Sequence, residues 1–376
     1  MNVEFGNIEK RWYFLTDVPD VNVVTPADRV KLVVTIMNSE SFDTVIDQYY
    51  VTHEGMFVLA ELSYLVESFL DATESVYCTV SVTASIIDEN GEGVMNSASF
   101  NVMYCNVLQS KDVDDMEKFF LVSSDKKIMH KNSSVPEYVG MIVKVSDNLM
   151  ESMVQPKSVN VTVIAYCHLD DDSNARVTFT DSVVASRALS VLILEFSYES
   201  ILAKLKSVNP HVSDCRSFRI ESEGRVLSYM VDDADTMLVE FFAFRNLFGV
   251  KEVVGIPGVT KDVRENTQSV AISGHSRIRY DAKTEQSFQF QSAALATFLE
   301  PSVDSLMMSK EVWRVKSGIS QPVLISDSTW EKTNEIGTVN TVKFTWKHRF
   351  IWVHEGKWFE NIGVRVFNDT YDVTYG

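Results

Sequence analysis

The chain has only four cysteines in 376 residues, Cys78, Cys105, Cys167 and Cys215, and no two of them form a Cys-x-x-Cys pair. Single, scattered thiols argue against a zinc ribbon or a dithiol redox motif, and a reducing compartment argues against disulfides. They read as buried structural thiols. Cys105 and Cys167 lie in apolar, strand-like runs, where a free cysteine acts as a small hydrophobe.

Positive charge is also scarce. Lys and Arg number 34 against 52 Asp and Glu, a net charge of −18, and no compact basic run offsets it. Affinity for nucleic acid comes largely from counterions displaced by clustered cations, so neither DNA nor RNA is an expected partner. An anionic membrane surface is disfavoured on the same ground. No stretch approaches the roughly 18 apolar residues of a membrane span, so no membrane insertion is expected. Met1-Asn-Val-Glu-Phe-Gly-Asn-Ile-Glu-Lys10 has neither a basic n-region nor a long apolar h-region. It reads as the start of a soluble product made in the cytoplasm, which assembly into a particle could still carry out of the cell.

Catalytic signatures are missing too. The sequence contains no Gly-x-Gly-x-x-Gly, no Walker A loop, no Gly-x-Ser-x-Gly and no His-Glu-x-x-His, and it implies no cofactor. Ser273-Gly-His-Ser276 reads as a glycine-marked turn, because a triad also needs an acid and a defined nucleophile geometry. His168-Leu-Asp-Asp-Asp172 groups an imidazole with three carboxylates at the end of a strand. Calcium loops alternate their oxygen ligands and usually carry a glycine, whereas these acids are consecutive, which favours a solvated acidic loop over a divalent-cation site. Asp232-Asp-Ala-Asp235 is read in the same way. A hydrolase working through paired carboxylates ranks last, since nothing singles out one pair among 52 acids.

What is present is β-forming sequence and a repeat. Val, Thr, Phe and Tyr recur in runs of four to eight residues throughout, which predicts strands. One order of elements (strand, loop, short helix, strand, turn, strand) occurs twice. The first copy runs Val30–Met37, a helical stretch Val58–Leu70, Val80–Ile87 and Phe100–Asn106; the second runs Val159–Tyr166, Phe196–Leu205, Ser217–Ser222 and Phe241–Asn246. Asp88–Gly93 and Ser222–Arg225 supply matching turns, rich in residues that tolerate positive φ. Leu59, Leu62, Leu65, Val66 and Leu70, and in the second copy Tyr198, Ile201, Leu202 and Leu205, form amphipathic stripes expected to bury against their own domains.

With 45% apolar residues and a mean hydropathy of −0.02, the chain has material for several cores, and its length suits two or three domains. The expected class is mainly β: tandem β-sandwich-like domains at 1–108 and 119–247, each with a short helix, then a distinct β-rich C-terminal domain at 248–376. Ser110–Lys118 reads as a linker. Beyond the second boundary, set near Phe248, Gly255-Ile-Pro-Gly258 and Thr260–Thr267 read as loop, Ser269–Ile272 and Arg277–Tyr280 as strands, and Ala293–Phe298 as a short helix interrupted near Pro301. Val323–Asp327, Val342–Trp346 and Gly363–Phe367 read as the strands that follow.

The C-terminal block Trp346–Phe359 concentrates aromatics with most of the local cations. Trp346, Phe350, Trp352, Trp358 and Phe359 are therefore the candidate interface, able to stack on a sugar or dock a protein. Strand alternation could equally bury Trp346, Phe350 and Trp352 in a sheet core.

The segment Phe241-Phe-Ala-Phe-Arg-Asn-Leu-Phe-Gly-Val-Lys-Glu252, with Gln291–Leu295, Val323–Asn334, Val342–Lys347 and the opening Phe5–Lys10 and Tyr13–Asp20, resembles structural proteins encoded in tail regions of Bacteroidota phages and prophages. The resemblance implies a non-enzymatic virion protein of the tail or baseplate, located in the particle. It implies self-association into a homo-oligomer and docking to other tail or baseplate proteins. The alternative expectation is a carbohydrate- or receptor-binding module that recognises a host-surface glycan through the C-terminal aromatics. Asn246, Gly249 and Asn334 read as turn or cap residues.

Overall fold

The computed structural model describes residues 3–9, 12–38, 41–87, 93–105, 113–145, 155–186, 189–233, 238–273, 276–316, 318–331 and 340–349. Strands dominate, as expected. The first module comprises β1 (Glu4–Gly6), β2 (Trp12–Phe14), β3 (Val21–Val24), β4 (Arg29–Met37), β5 (Phe42–Val51), β6 (Met56–Leu59), helix α1 (Leu62–Ala72), β7 (Tyr77–Ile87) and β8 (Gly93–Met103). They form a five-stranded sheet, β2-β8-β7-β4-β5, facing a three-stranded sheet, β1-β3-β6. Period-two burial explains the packing. Val30, Leu32, Val34 and Ile36 of β4 are all inaccessible while their neighbours are not, and so are Val80, Val82 and Ala84 of β7.

The second module repeats this plan element by element: β9 (Phe120–Leu121), β10 (Lys126–His130), β11 (Glu137–Lys144), β12 (Lys157–Leu169), β13 (Asn174–Ala185), β14 (Leu189–Phe196), α2 (Tyr198–Val208), β15 (Val212–Ser222) and β16 (Arg225–Asp232). Its sheets, β10-β16-β15-β12-β13 and β14-β11-β9, match those of the first module strand for strand. The match includes the parallel pairing of the second strand with the last, β2 with β8 and β10 with β16. The repeat is therefore complete in topology.

Its last element needs correction. Phe241–Asn246 does not close the second copy; β16 does, joined to β15 by the two-residue turn Glu223-Gly224, whose φ angles of 47° and 87° suit the twist of a tight hairpin. The helices also start later than their stripes suggest. Val58 and Leu59 belong to β6, and α2 begins after Ser197, whose hydroxyl accepts the Ser200 N–H at 3.2 Å while the Ser200 hydroxyl accepts the Ser197 N–H at 2.9 Å. Within the expected linker, Val113–Lys118 is a 3-10 helix with Met116 buried.

The remaining strands, β17 (Val239–Arg245), β18 (Lys251–Ser273), β19 (Ser276–Ser292), β20 (Val312–Lys316), β21 (Ile319–Glu331) and β22 (Thr341–His348), close into an antiparallel barrel in the order β17-β18-β19-β22-β21-β20. The Gly255–Gly258 and Thr260–Thr267 stretches expected as loop lie inside β18. Gly258 is needed there because a Cβ would sit 2.4 Å from the Gln291 carbonyl. The helix expected at Ala293–Phe298 is instead α3 (Glu300–Met308), with Pro301 in its first turn, where a missing N–H costs nothing. Gly363–Phe367 lies outside the described residues. Replacing Ser197 with Ala should cost the second module about 1 kcal/mol, read as a lower denaturant midpoint with unchanged far-ultraviolet circular dichroism.

Candidate functional site: the barrel turn and the barrel arm

Of the predicted aromatic interface, Trp346 alone lies among the described residues, and it is not on the surface. Trp346 is fully inaccessible, with Val342 and Phe344 beside it on the inward face of β22. Its ring stacks on Phe288 at 4.0 Å and 11°, and the Arg314 guanidinium lies 4.9 Å from it. Alternation along the strand buries it, which removes Trp346 from the candidate interface. Phe350, Trp352, Trp358 and Phe359 lie outside the described residues.

The other sequence candidates are dispersed. The Asp171 carboxylate accepts the Ser173 N–H at 3.0 Å, Asp172 lies 3.3 Å from His168, and Asp170 lies 3.8 Å from His211, so the three acids turn to three different partners. No group of three or more metal-ligating side chains converges among the described residues. Asp232 lies 3.5 Å from the His130 ring; of its acidic neighbours, Asp235 is outside the described residues, as are Gly274 and His275 of the Ser-Gly-His-Ser turn. All four cysteines are buried, and burial pushes the Cys78 thiol up to about 12, which suppresses its thiolate. A cavity of about 220 Å³ lined by Phe14, Met116, Phe119, Phe120 and Phe248 is smaller than most ligand pockets.

What the residues do build is a buried polar junction at the turn between β17 and β18. The Asn246 carboxamide oxygen accepts the N–H groups of Phe248 at 3.0 Å and Val250 at 3.1 Å, and Gly249 closes the turn at φ +75°. Any Cβ on Gly249 would also lie 3.0 Å from the Tyr104 ring. Three side chains reach outward from this turn. The Arg245 guanidinium bonds Asp71 at 2.7 Å, the Leu70 carbonyl at 3.1 Å and the Ser75 carbonyl at 2.8 Å, and it stacks 4.0 Å from Tyr104, so it holds the C-terminal end of α1 in the first module.

Asn246 donates to the Leu121 carbonyl at 3.0 Å and to Glu252 at 2.9 Å. Glu252, fully inaccessible, also accepts the Ser123 N–H at 2.9 Å, the Ser123 hydroxyl at 2.8 Å and the Ser302 hydroxyl at 3.3 Å. Lys127 completes the cluster, 2.8 Å from Glu137 and 3.5 Å from Glu252. Burial pushes the Glu137 carboxyl above its ordinary value despite Lys127. Phe248 and Val250 add an apolar seal with Phe14, Met103, Leu121 and Ile142. One turn thus fastens both modules to the barrel.

The second feature is an arm. β18 pairs with β17 only as far as Pro257, and β19 pairs with β22 only from Phe288. Across the intervening ladder β18 and β19 pair with one another, and among the described residues no third strand joins them. At its base, Glu240 accepts two bonds from Arg314, at 2.8 and 2.9 Å, and one from the Thr260 hydroxyl at 2.9 Å.

No protein-family model matches this chain, and no curated protein matches it either. The sequence signal that marks the junction is the placement of Arg245, Asn246 and Glu252 inside an otherwise apolar run. Apolar runs, Phe241–Phe244 and Val253–Val254, bound the segment on both sides.

Arg245→Ala removes the guanidinium shared by Asp71 and the Leu70 and Ser75 carbonyls, while Lys310 stays 3.9 Å from Asp71 and the Ser75 N–H stays on the Leu70 carbonyl, so it should cost about 2 kcal/mol in a urea titration; Arg245→Lys should recover only part, since an ammonium cannot span all three acceptors. A pH effect follows from Glu240. Burial opposes its ionisation, but Arg314 and Thr260 outweigh burial and hold its pKa below the ordinary 4.5. A depressed carboxyl contributes stability above that ordinary value and loses it as pH falls through the depressed one. Acidification from pH 6 should therefore lower the melting temperature, and Glu240→Gln should flatten that acid limb.

Proposed function

We infer that the chain is a non-enzymatic structural protein of a phage particle, a tail or baseplate component that acts by self-assembly and by docking to other particle proteins. The observation that carries this reading is the arm set on a fastened scaffold. An isolated two-stranded ribbon is marginally stable in water, so a ribbon extending beyond its barrel gains from covering a partner. Two tandem β modules and a closed barrel, joined by a buried junction, give such an arm a fixed direction. The resemblance of Phe241–Glu252 to phage tail-region proteins supports the same reading, because that segment forms the junction itself. The acidic surface, with a net charge of −18, suits a protein that stays soluble until it meets a specific partner.

Sedimentation velocity of the purified chain over a hundredfold concentration range tests the proposal. The expected result is a defined oligomer, or a shift to one when neighbouring particle proteins are added. A monomer at every concentration that binds none of them would overturn it.

A further inference from the structure

The chain's four thiols are not equivalent. Cys78 faces Val102 across its ladder and lies in a different core from Cys105. Cys167 of β12 and Cys215 of β15, by contrast, are register partners on neighbouring antiparallel strands, and both belong to the core of the second module, each 1% exposed. Residues directly opposite in an antiparallel pair have Cα atoms roughly 4.5 to 5.5 Å apart, inside the range of roughly 4.4 to 6.8 Å that a disulfide spans. Joining these two sulfurs therefore calls for side-chain rotation rather than movement of the strands.

The surroundings supply a nucleophile and a way in. A hydrogen bond between the two thiols lowers the Cys167 pKa below the ordinary 9.0, although burial and the Asp214 charge oppose ionisation, and it raises that of Cys215. Thiolates, not thiols, attack disulfides, so Cys167 is the attacking group and Cys215 the resolving one. The Cys215 backbone is held in place: its N–H donates to the Asp214 carboxylate at 2.9 Å and to the Tyr198 hydroxyl at 3.2 Å, and Lys131 pairs with Asp214 at 2.8 Å. Access comes from the ladder. The β12–β15 register slips on both sides of the Cys167–His168 step, between Tyr166 and Cys167 and between His168 and Leu169, and beyond it residues 170–173 and 210–211 are exposed. An interrupted sheet end opens at lower cost than a continuous ladder.

We propose that Cys167 and Cys215 form a dithiol site that closes to a disulfide where a small-molecule disulfide such as oxidised glutathione prevails, and that stays open in a reducing compartment. The Cys167 thiolate attacks one sulfur of glutathione disulfide, breaking its S–S bond, forming a mixed disulfide and releasing one glutathione thiolate. Cys215 then loses its proton to solvent and attacks the Cys167 sulfur, expelling the second glutathione thiolate. Two protein thiols are oxidised by two electrons, one glutathione disulfide is reduced to two glutathiones, and the released thiolates take up the two protons. The new bond encloses β13, β14 and α2 between β12 and β15, so it restrains the unfolded chain over a long loop. It needs no partner, and so is independent of the self-assembly reading above.

The test incubates the folded full-length chain with glutathione disulfide and maps its peptides, without reduction, by mass spectrometry. The expected result is one intramolecular Cys167–Cys215 bond, loss of two of the four thiols titratable in denaturant, and a rise in melting temperature of about 5 °C or more that dithiothreitol reverses. Cys215→Ser, checked for folding by circular dichroism, should instead retain one glutathione on Cys167, since no resolving thiol remains to expel it. Four thiols that persist in the folded wild-type chain, or a bond mapped to any other pair, would overturn the site. The wild-type result decides alone if the variant does not fold.

Discussion

The structure depends on the burial of an ionic and hydrogen-bonded cluster, centred on Arg245, Asn246 and Glu252, at the point where three β bodies meet. Apolar contact alone would let modules slide over one another, because dispersion and burial are non-directional. Buried charges behave differently. Taking a carboxylate such as Glu252 out of water is tolerable only if its lone pairs are filled, and they are filled by Ser123, Asn246, Ser302 and Lys127 together. A small displacement would break several bonds at once, so the cluster fixes orientation as well as proximity. The apolar seal of Phe248 and Val250 against Leu121 and Ile142 keeps water out and maintains the strength of these bonds.

Chain economy follows from the same turn. Arg245 lies at the last position of β17 and Glu252 at the second of β18, with Asn246 and Gly249 shaping the connection between them. A hairpin that any antiparallel barrel needs therefore also supplies the contacts to both modules. The first module is held through a helix end, where Arg245 meets carbonyls that have no partner inside the helix. The second is held through the loop after β9, where Ser123 offers both backbone and side-chain donors to Glu252. The duplicated modules are thus attached by different surfaces. That difference buries Leu121 and Ile142 of β9 and β11 under the barrel turn, while Val24 on the corresponding β3 is 44% exposed.

The sequence made the strand-rich class, the duplication and both helices legible, because period-two and period-3.6 patterns survive divergence wherever one face is buried. It misplaced elements where burial is two-sided or where pairing is distant. Phe241–Arg245 is buried on nearly every side, between barrel core and junction, so its apolar run looked like the closing strand of a sandwich. The actual closing strand, Arg225–Asp232, alternates in burial, but its outward positions Val226 and Met230 are themselves apolar, so its sequence carries no period-two signal. β2 and β10 are three and five residues long and join their sheets in parallel to strands far along the chain, which no local pattern reveals. Trp346 shows the ambiguity of aromatics, since the same residue types serve a core and an interface, and only the strand's inward side decided between them. Asn246 and Gly249 were legible as turn formers; their neighbours Arg245 and Glu252 were not legible as connectors, because the groups they hold in the two modules, Asp71 and Ser123, are more than a hundred residues away.

This junction welds the modules and the barrel into one unit. Hydrogen exchange at the amides of Ser123, Phe248 and Val250, which donate into the cluster, tests it most directly. The expected protection equals that of core strands β4 and β12 and is lost at all three amides together in Glu252→Ala. Exchange at the rate of exposed loops in the wild-type protein, with β4 and β12 still protected, would contradict it.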